Sequence, residues 1–213
     1  MPKFISIEEA VKLIPNGARV MFGGFMGCGN AHKFIDALSK SGVKDLTMIC
    51  NDGGMPGGPM GEDYYGVAKL IHNRQVSKMI ATHVGLNPEV GSQSMIDGTL
   101  EMTLLPQGSF VEMIRAGGAG LGGVLTPTGV GTIIEESPLC LGKQTINGRE
   151  YLLMAPIRAD FAVISGYKIV VIIFSVLCNI IIFGNSFFNN FNTFQNVNNP
   201  TSLIYTISNR NNK

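Results

Sequence analysis

The stretch RVMFGGFMGCGNAHKFIDALSKSGVKDLTMIC, residues 19–50, decides the fold. Its apolar beginning, residues 19–25, is typical of a strand that is buried on both faces. Residues 31–40 are predicted to form a helix, with Asn30 as the N-cap and Gly42 just after its end. The last six residues of the stretch form a second apolar strand. Strand, loop, helix and strand in this order make up the unit of a parallel α/β sheet.

The same alternation continues on both sides of this unit. Ser6 and Glu9 form a capping box that opens a short helix at the beginning of the chain. Further along, the pattern predicts a strand, a helix, a strand and a helix, the last with a second capping box between Ser109 and Glu112: residues 78–83, 87–96, 100–105 and 109–116. The sequence therefore predicts, over residues 1–168, an α/β fold with an open, mostly parallel sheet and flanking helices.

The charge of the chain is nearly balanced. It has 16 Lys and Arg against 15 Asp and Glu, a net charge of +1. This balance argues against nucleic acid or an anionic membrane as a partner, because both bind clustered positive charge. Four cysteines lie far apart, without a CxxC pair or a histidine at metal-ligand spacing, so neither a metal site nor a disulfide framework is predicted. The first residues lack the apolar core of a secretion signal, and we expect a cytoplasmic protein.

Composition changes abruptly near Lys168. All acidic residues lie at or before Asp160, and residues 169–209 contain no charged side chain. The apolar run at residues 169–183 is shorter than the ~20 residues that a membrane-spanning helix needs. We interpret residues 169–213 as an anomalous tail, rich in Ile, Phe and Asn, of the kind that a shifted reading frame of A+T-rich DNA encodes. A membrane anchor is the alternative.

The first candidate site is the glycine loop, residues 23–29, between the first strand and its helix. Glycines there let the backbone approach a ligand, and the helix start offers unpaired amides to an anion. The spacing is not GxGxxG, since His32 stands at the sixth place, so a nicotinamide-binding fingerprint is weak. A tight turn that needs glycine only for packing explains the loop equally well. Cys28 could be a nucleophile with His32 as its base, but a small packing residue is the better interpretation.

The second candidate is Gln107, which follows a predicted strand at the end where open α/β sheets bind ligands. Its amide can donate hydrogen bonds to a developing oxyanion, although a glutamine that caps the turn is the alternative. The third candidate is residues 115–131, a glycine-rich segment that is predicted to form one closely folded loop lining a cleft. Glu135 and Glu136 follow it; as neighbours on a strand they would face opposite sides, so a solvated or ion-paired role is expected. His72 and His83 are expected to be structural or surface residues.

Two long blocks carry a resemblance to a known family. NGARVMFGGFMGCGN at residues 16–30, and PQGSFVEMIRAGGAGLGGVLTPTGVGT at residues 106–132, resemble the α-subunit motifs of family I coenzyme A transferases, in particular of the acetate, acetoacetate and butyrate group. The likeness spans about residues 2–168. The chain departs from the family at Ala31, where the motif has proline, and after Ile164, where the family's further α/β structure is not recognisable.

The resemblance implies an enzyme that transfers CoA between carboxylic acids. A glutamate of the β subunit would attack the acyl-CoA thioester, and Gln107 would be the oxyanion donor of the α half. The family also implies an acyl pocket at the junction of the subunits, without cofactor or metal, to which these residues of the chain contribute: Gly23, Gly24, Phe25, Met26, Gly27, Gly29, Gly117, Gly118, Gly120, Thr126 and Gly129. The partners would be a β subunit, in a heterodimer or heterotetramer, together with acyl-CoA and short-chain acids. A non-catalytic α/β binding module, tethered to a membrane by residues 169–183, is the alternative function.

Overall fold

A computed structural model describes residues 5–166 of the chain and, for the backbone alone, residues 179–184. The helices are α1 Ile7–Val11, α2 His32–Ser39, α3 Ala68–His72, α4 Pro88–Gly91 and α5 Gln107–Ala119, with a π-helical turn at Ser92–Ile96 and a 3₁₀ turn at Ile133–Glu136. The strands are β1 Arg19–Phe22, β2 Leu46–Cys50, β3 Met55–Pro56, β4 Tyr64–Tyr65, β5 Val76–Ala81, β6 Glu101–Leu104, β7 Val124–Thr126, β8 Cys140–Ile146, β9 Arg149–Met154, β10 Phe161–Gly166 and β11 Asn179–Gly184.

Six of the described strands form one sheet in the order β11-β10-β1-β2-β5-β6, and every neighbouring pair is parallel. The predicted α/β class with an open parallel sheet is therefore confirmed. The chain runs outward from β1 to β6 and then returns to place β10 on the other side of β1. The direction of winding thus reverses between β1 and β10, and such a switch point opens a crevice at the carboxyl ends of the strands.

Two apolar clusters cover the two faces of this sheet. On β2, Met48 joins the cluster beneath α1, α2 and α3, whereas Ile49 joins the cluster beneath α5. Because successive side chains of a strand point to opposite faces, a strand between two helical layers must be apolar throughout. The run LTMIC of β2 meets that requirement at every position except Thr47, and this explains why apolar runs without alternation predicted the sheet correctly.

Two of the predicted N-caps are wrong. The Ser6–Glu9 capping box is confirmed, with Glu9 N donating to Ser6 Oγ at 3.1 Å. Asn30 is not an N-cap, because α2 begins at His32 after Ala31. The second capping box is also wrong: Ser109 lies inside α5, which begins at Gln107 and ends at Ala119.

A three-stranded antiparallel sheet, β7-β9-β8, was not predicted. It packs beside α5, where Leu152 and Met154 of β9 join the second apolar cluster. Its hairpin turns at Asn147 and Gly148, which have φ of 51° and 75°. An Asn-Gly pair with two positive φ angles is the signal of a tight hairpin, so the sequence does carry the information for this element.

The strand β11 lies within the tail that the sequence sets apart. It pairs in parallel with β10 from Phe161–Asn179 to Gly166–Gly184 and forms one edge of the sheet. Residues 167–178 and 185–213 lie outside the described residues, so the reading-frame origin of the tail stays a prediction. Among the described helices, none is long and apolar enough to cross a membrane.

Candidate functional site

Four segments meet at the carboxyl edge of the parallel sheet. The glycine loop follows β1, residues 51–54 follow β2, Thr82 follows β5 and Gln107 follows β6. The strands are parallel and neighbouring, so all four segments leave the sheet at the same edge. The first two predicted candidates, the glycine loop and Gln107, therefore belong to one edge of the sheet.

The glycine loop is a tight reversal with a defined backbone. Phe25 N donates to Cys28 O and Cys28 N donates to Phe25 O, both at 2.9 Å. The two residues between them, Met26 and Gly27, have positive φ of 49° and 82°. A Cβ on Gly27 would lie 2.1 Å from the Tyr65 ring, so glycine is required there by both backbone and space. Packing thus accounts for Gly27 by itself, and ligand binding by the loop stays a prediction.

A buried carboxylate that the sequence reasoning missed holds the loop in place. Asp52 is only 5% exposed, and its Oδ2 accepts Met26 N at 2.8 Å. Its Oδ1 accepts Gly54 N at 2.8 Å, and Asn51 Nδ2 lies 3.2 Å from Oδ2. One charged group therefore ties the segment after β1 to the segment after β2. The sequence did carry a signal for this residue, since Asp52 is an acidic residue two positions after the end of the buried strand β2.

Asn30 and His32 also support the glycine loop. Asn30 Nδ2 donates to Gly23 O at 2.7 Å. His32 Nε2 lies 2.8 Å from Gly27 O, and its ring stacks on Tyr65 with 4.5 Å between centroids. A carbonyl oxygen can only accept, so this nitrogen donates and is not a free base for Cys28. Cys28 is exposed, so its interpretation as a packed apolar residue is wrong as well.

Gln107 occupies the first turn of α5 and is exposed to solvent. Its Oε1 lies 2.5 Å from Thr82 Oγ1, a neighbour that the sequence reasoning did not identify. The first helical hydrogen bond runs from Phe110 N to Pro106 O, so the amide groups of the preceding residues have no partner within the helix. The side chain of Gln107 bonds to Thr82 instead of capping the turn.

The predicted loop over residues 115–131 is wrong in its first part. Gly117 and Gly118 lie within α5, and Gly120 ends it with a φ of 72°. A Cβ on Gly117 would lie 2.0 Å from Ile157 O, so this glycine allows close packing of helix and chain. Ten residues of helix separate Gly117 from Gln107, about 15 Å along the axis. The three glycines are thus remote from the first turn of α5.

The prediction is wrong at the start of the second part too, where Val124–Thr126 form strand β7, and a compact loop follows over residues 127–131. Thr126 Oγ1 accepts Thr128 N at 3.2 Å, and Gly129 has a φ of 97° with its carbonyl accepting from Thr132. The side chain of Glu135 holds the end of the loop through a hydrogen bond from Gly131 N. Contact of Thr126 or Gly129 with a ligand stays a prediction.

Glu135 carries the charge of this loop. Its Oε1 accepts Gly131 N at 2.6 Å and lies 3.0 Å from Lys143 Nζ. The pKa of Glu135 is lowered, first by the Gly131 hydrogen bond and then by Lys143. The expected ion-paired role of Glu135 is confirmed, although it sits in a 3₁₀ turn with Glu136 and not on a strand.

A further polar cluster joins Tyr64, His72 and Glu89. His72 Nδ1 is 3.0 Å from Glu89 Oε1, which also accepts from Tyr64 at 2.8 Å. This is the structural surface role that was expected for His72. Within the part of the chain that the structure describes, no group of three His, Cys, Asp or Glu side chains is placed to hold a metal ion.

Comparison with known proteins gives a consistent result. A family model described as Coenzyme A transferase matches residues 4–169. The chain is 45% identical over 168 residues to the acetate CoA-transferase subunit alpha of Escherichia coli K12, covering 78% of this chain and 70% of that one. It is 46% identical over 164 residues to the acetoacetyl-CoA:acetate/butyrate CoA transferase alpha subunit of Clostridium acetobutylicum, covering 77% and 70%.

Solved structures agree on the fold. An acyl-CoA transferase from E. coli O157:H7, in a thioester complex with CoA, superposes with a TM-score of 0.65 at 22% identity, over 76% of this chain and 34% of that one. Glutaconate coenzyme A-transferase from Acidaminococcus fermentans gives a TM-score of 0.59 at 17% identity, over 76% of this chain and 55% of that one. At these identities the likeness concerns the fold alone.

Proposed function

Since this chain belongs to the coenzyme A transferase family, as a subunit of the α type, we propose that it works in a two-subunit enzyme that moves CoA between a short-chain acyl-CoA and a carboxylic acid. Acetate and acetoacetate are the proposed acids, because two similar relatives have acetate or acetoacetyl-CoA in their names. The alternative of a non-catalytic binding module is not favoured by the family.

The proposed reaction proceeds through two covalent states of a glutamate on the β subunit. Its carboxylate oxygen attacks the thioester carbon, and collapse of the tetrahedral oxyanion expels CoA thiolate and leaves an acyl-glutamyl anhydride. The thiolate then attacks the glutamyl carbonyl, which releases the first acid and forms a glutamyl-CoA thioester. The second acid then attacks the glutamyl-CoA thioester, which expels CoA thiolate and forms a new acyl-glutamyl anhydride. The thiolate attacks the acyl carbonyl of this anhydride, which releases the second acid as its CoA thioester and restores the glutamate.

Each attack places negative charge on a carbonyl oxygen, and Gln107 is the proposed donor to it. The observation that supports this role is the position of its amide, exposed in the first turn of α5 at the carboxyl edge of the sheet. Donors that are fixed before the charge develops stabilise the transition state without further reorganisation. The glycine loop would form the wall of the acyl pocket on the same edge.

The proposed partner is a β subunit in a heterodimer or heterotetramer, and the proposed location is the cytoplasm. Two relatives are themselves named as alpha subunits, which supports a partner chain. The chain alone is expected to be inactive, because the proposed nucleophile belongs to the β subunit.

Gln107→Ala in the complex with a β subunit tests the proposal. Loss of one oxyanion donor is expected to lower kcat by roughly 10²–10³ for transfer from acetoacetyl-CoA to acetate. Gln144→Ala, on the exposed part of β8, is the matched control and is expected to retain full activity. An unchanged rate in Gln107→Ala removes this residue from the mechanism, and a complex without transferase activity contradicts the function itself.

We also propose that the tail from residue 169 derives from a shift of reading frame. Its lack of acidic residues and its eleven asparagines after residue 178 support this. Sequencing of the gene around codon 168 is expected to show that a one-base shift restores an acidic, glycine-containing continuation. If no frame does so, the shift is excluded.

A further inference from the structure

Thr82 lies between the segment after β2 and the first turn of α5. It follows β5 directly and is half-buried. Its hydroxyl is 2.5 Å from Gln107 Oε1 and 2.9 Å from the Asn51 carbonyl oxygen. Asn51 Oδ1 is a third and more distant acceptor at 3.5 Å. A hydroxyl carries a single proton, so we compare the two nearer acceptors, of which it serves one at a time.

The hydrogen bonds of Asn51 decide between them. Its carbonyl oxygen already accepts Thr82 N at 3.0 Å and His83 N at 3.2 Å. A carbonyl oxygen has two lone pairs, and both are used by these backbone donors. The hydroxyl proton of Thr82 is therefore left for Gln107 Oε1, which is also the nearer acceptor.

This assignment fixes the orientation of the Gln107 amide. With Oε1 held by Thr82, the Nε2 group points away from Thr82, and among the described residues it has no acceptor. Two N–H bonds are thus available at the carboxyl edge of the sheet. In the opposite orientation the amide would present its oxygen there, and an oxygen repels an oxyanion instead of stabilising it.

We infer that Thr82 is a positioning residue for the transferase reaction: its hydroxyl holds Gln107 Oε1 so that Nε2 is presented to the oxyanion of the substrate. The inference rests on the proposed role of Gln107. Thr82 would act through Gln107 and not by its own contact with the reacting atoms. The carbonyl oxygen of Asn51 already accepts two backbone N–H groups, and this leaves the Thr82 hydroxyl proton for Gln107.

Thr82→Val tests the inference, because valine has nearly the same shape but no hydroxyl. In the complex with a β subunit, kcat is expected to fall about tenfold, which corresponds to one neutral hydrogen bond, with KM changed less than twofold. Thr82→Ser restores the hydroxyl and is expected to recover kcat to within about threefold of the native rate. Thr145→Val, on the exposed part of β8, is the matched control and is expected to have no effect.

The double variant separates a positioning role from a merely structural one. If Thr82 acts through Gln107, then Thr82→Val in the Gln107→Ala background has no further effect on kcat. A further tenfold loss there would show that Thr82 acts by another route and would overturn the inference. A native rate in Thr82→Val, with Gln107→Ala impaired, also overturns it and leaves the proposed function standing. A native rate in Gln107→Ala overturns the roles of both Gln107 and Thr82, and the proposed transferase function still stands.

A spectroscopic measurement covers the case in which Thr82→Val does not assemble with the β subunit. The side-chain amide signals of Gln107, identified by their loss in Gln107→Ala, are recorded by NMR in the native chain, in Thr82→Ser and in Thr82→Ala. The two signals are expected to stay at their native positions in the serine variant and to move in the alanine variant. Identical signals in all three chains contradict a hydrogen bond from Thr82.

Discussion

The anchoring carboxylate of Asp52 offers the sharpest test of how the candidate site is built. Asp52→Asn preserves the shape of the side chain and replaces one oxygen by an NH₂ donor. In the native chain both oxygens accept backbone N–H groups at 2.8 Å, from Met26 and from Gly54. In either orientation of the asparagine amide, its NH₂ group faces one of the two backbone N–H groups, which loses its acceptor. The other backbone N–H group keeps an oxygen acceptor, but that oxygen is no longer charged.

The size of the effect follows from these contacts. A hydrogen bond to a charged group contributes about 1.5–3 kcal/mol, and a buried donor left unpaired costs about 1–3 kcal/mol. The neutral amide is easier to bury than a carboxylate, which offsets part of this loss. We therefore expect the free energy of unfolding to fall by about 2–4 kcal/mol.

Urea unfolding followed by circular dichroism measures this change in the full chain, with hydrogen exchange at the Met26 and Gly54 amides as a local readout. Asp63→Asn is the matched control, because Asp63 is exposed, and a surface change of this kind is expected to stay within about 0.5 kcal/mol. If Asp52→Asn matches this control and both amides keep their native exchange rates, then the carboxylate does not anchor the glycine loop.

Two further predictions concern titration and thiol chemistry. The pKa of Glu135 is lowered in the folded chain, first by the hydrogen bond from Gly131 N. The ionised carboxylate therefore stabilises the fold at pH values above the ordinary carboxyl pKa. This stabilisation is lost as the pH falls through the lowered pKa of the folded chain. The Gly131 amide is therefore expected to be protected from hydrogen exchange at pH 7 and to lose this protection in strong acid. The Glu135→Gln variant is expected to lack this pH dependence. Equal exchange behaviour of the native and variant chains would refute the hydrogen bond between Glu135 and Gly131. Burial raises the pKa of the Cys50 thiol, and the neighbouring Asp52 charge adds to the shift. Iodoacetamide at pH 8, followed by mass spectrometry, is expected to modify the exposed Cys28 and to spare Cys50 until denaturant is added; labelling of Cys50 in the folded chain would contradict its burial.

The sequence by itself determined the parallel sheet and the identity of the family. Apolar runs such as the one at β2 are so constrained by burial on both faces that they predict a strand without any tertiary information. The position of Gln107 at the carboxyl edge of the sheet was also predicted from the sequence alone, and its role in the reaction stays a prediction. The helix boundaries were predicted less well, since Asn30 and Ser109 are good capping residues that the folded chain uses differently.

Only the tertiary structure decided which residues support the site. Asp52 and Gln107 are separated along the chain by whole strands and helices, and parallel pairing brings their segments to one edge of the sheet. The partnership of Thr82 with Gln107, and of Asp52 with Met26, depends on distances of less than 3 Å between residues about 25 positions apart. Hydrogen bonds of this kind are fixed by the register of neighbouring strands, which the local sequence does not encode. The glycine-rich segment after Arg115 shows the same limit, because packing against Ile157 turns its first glycines into helix.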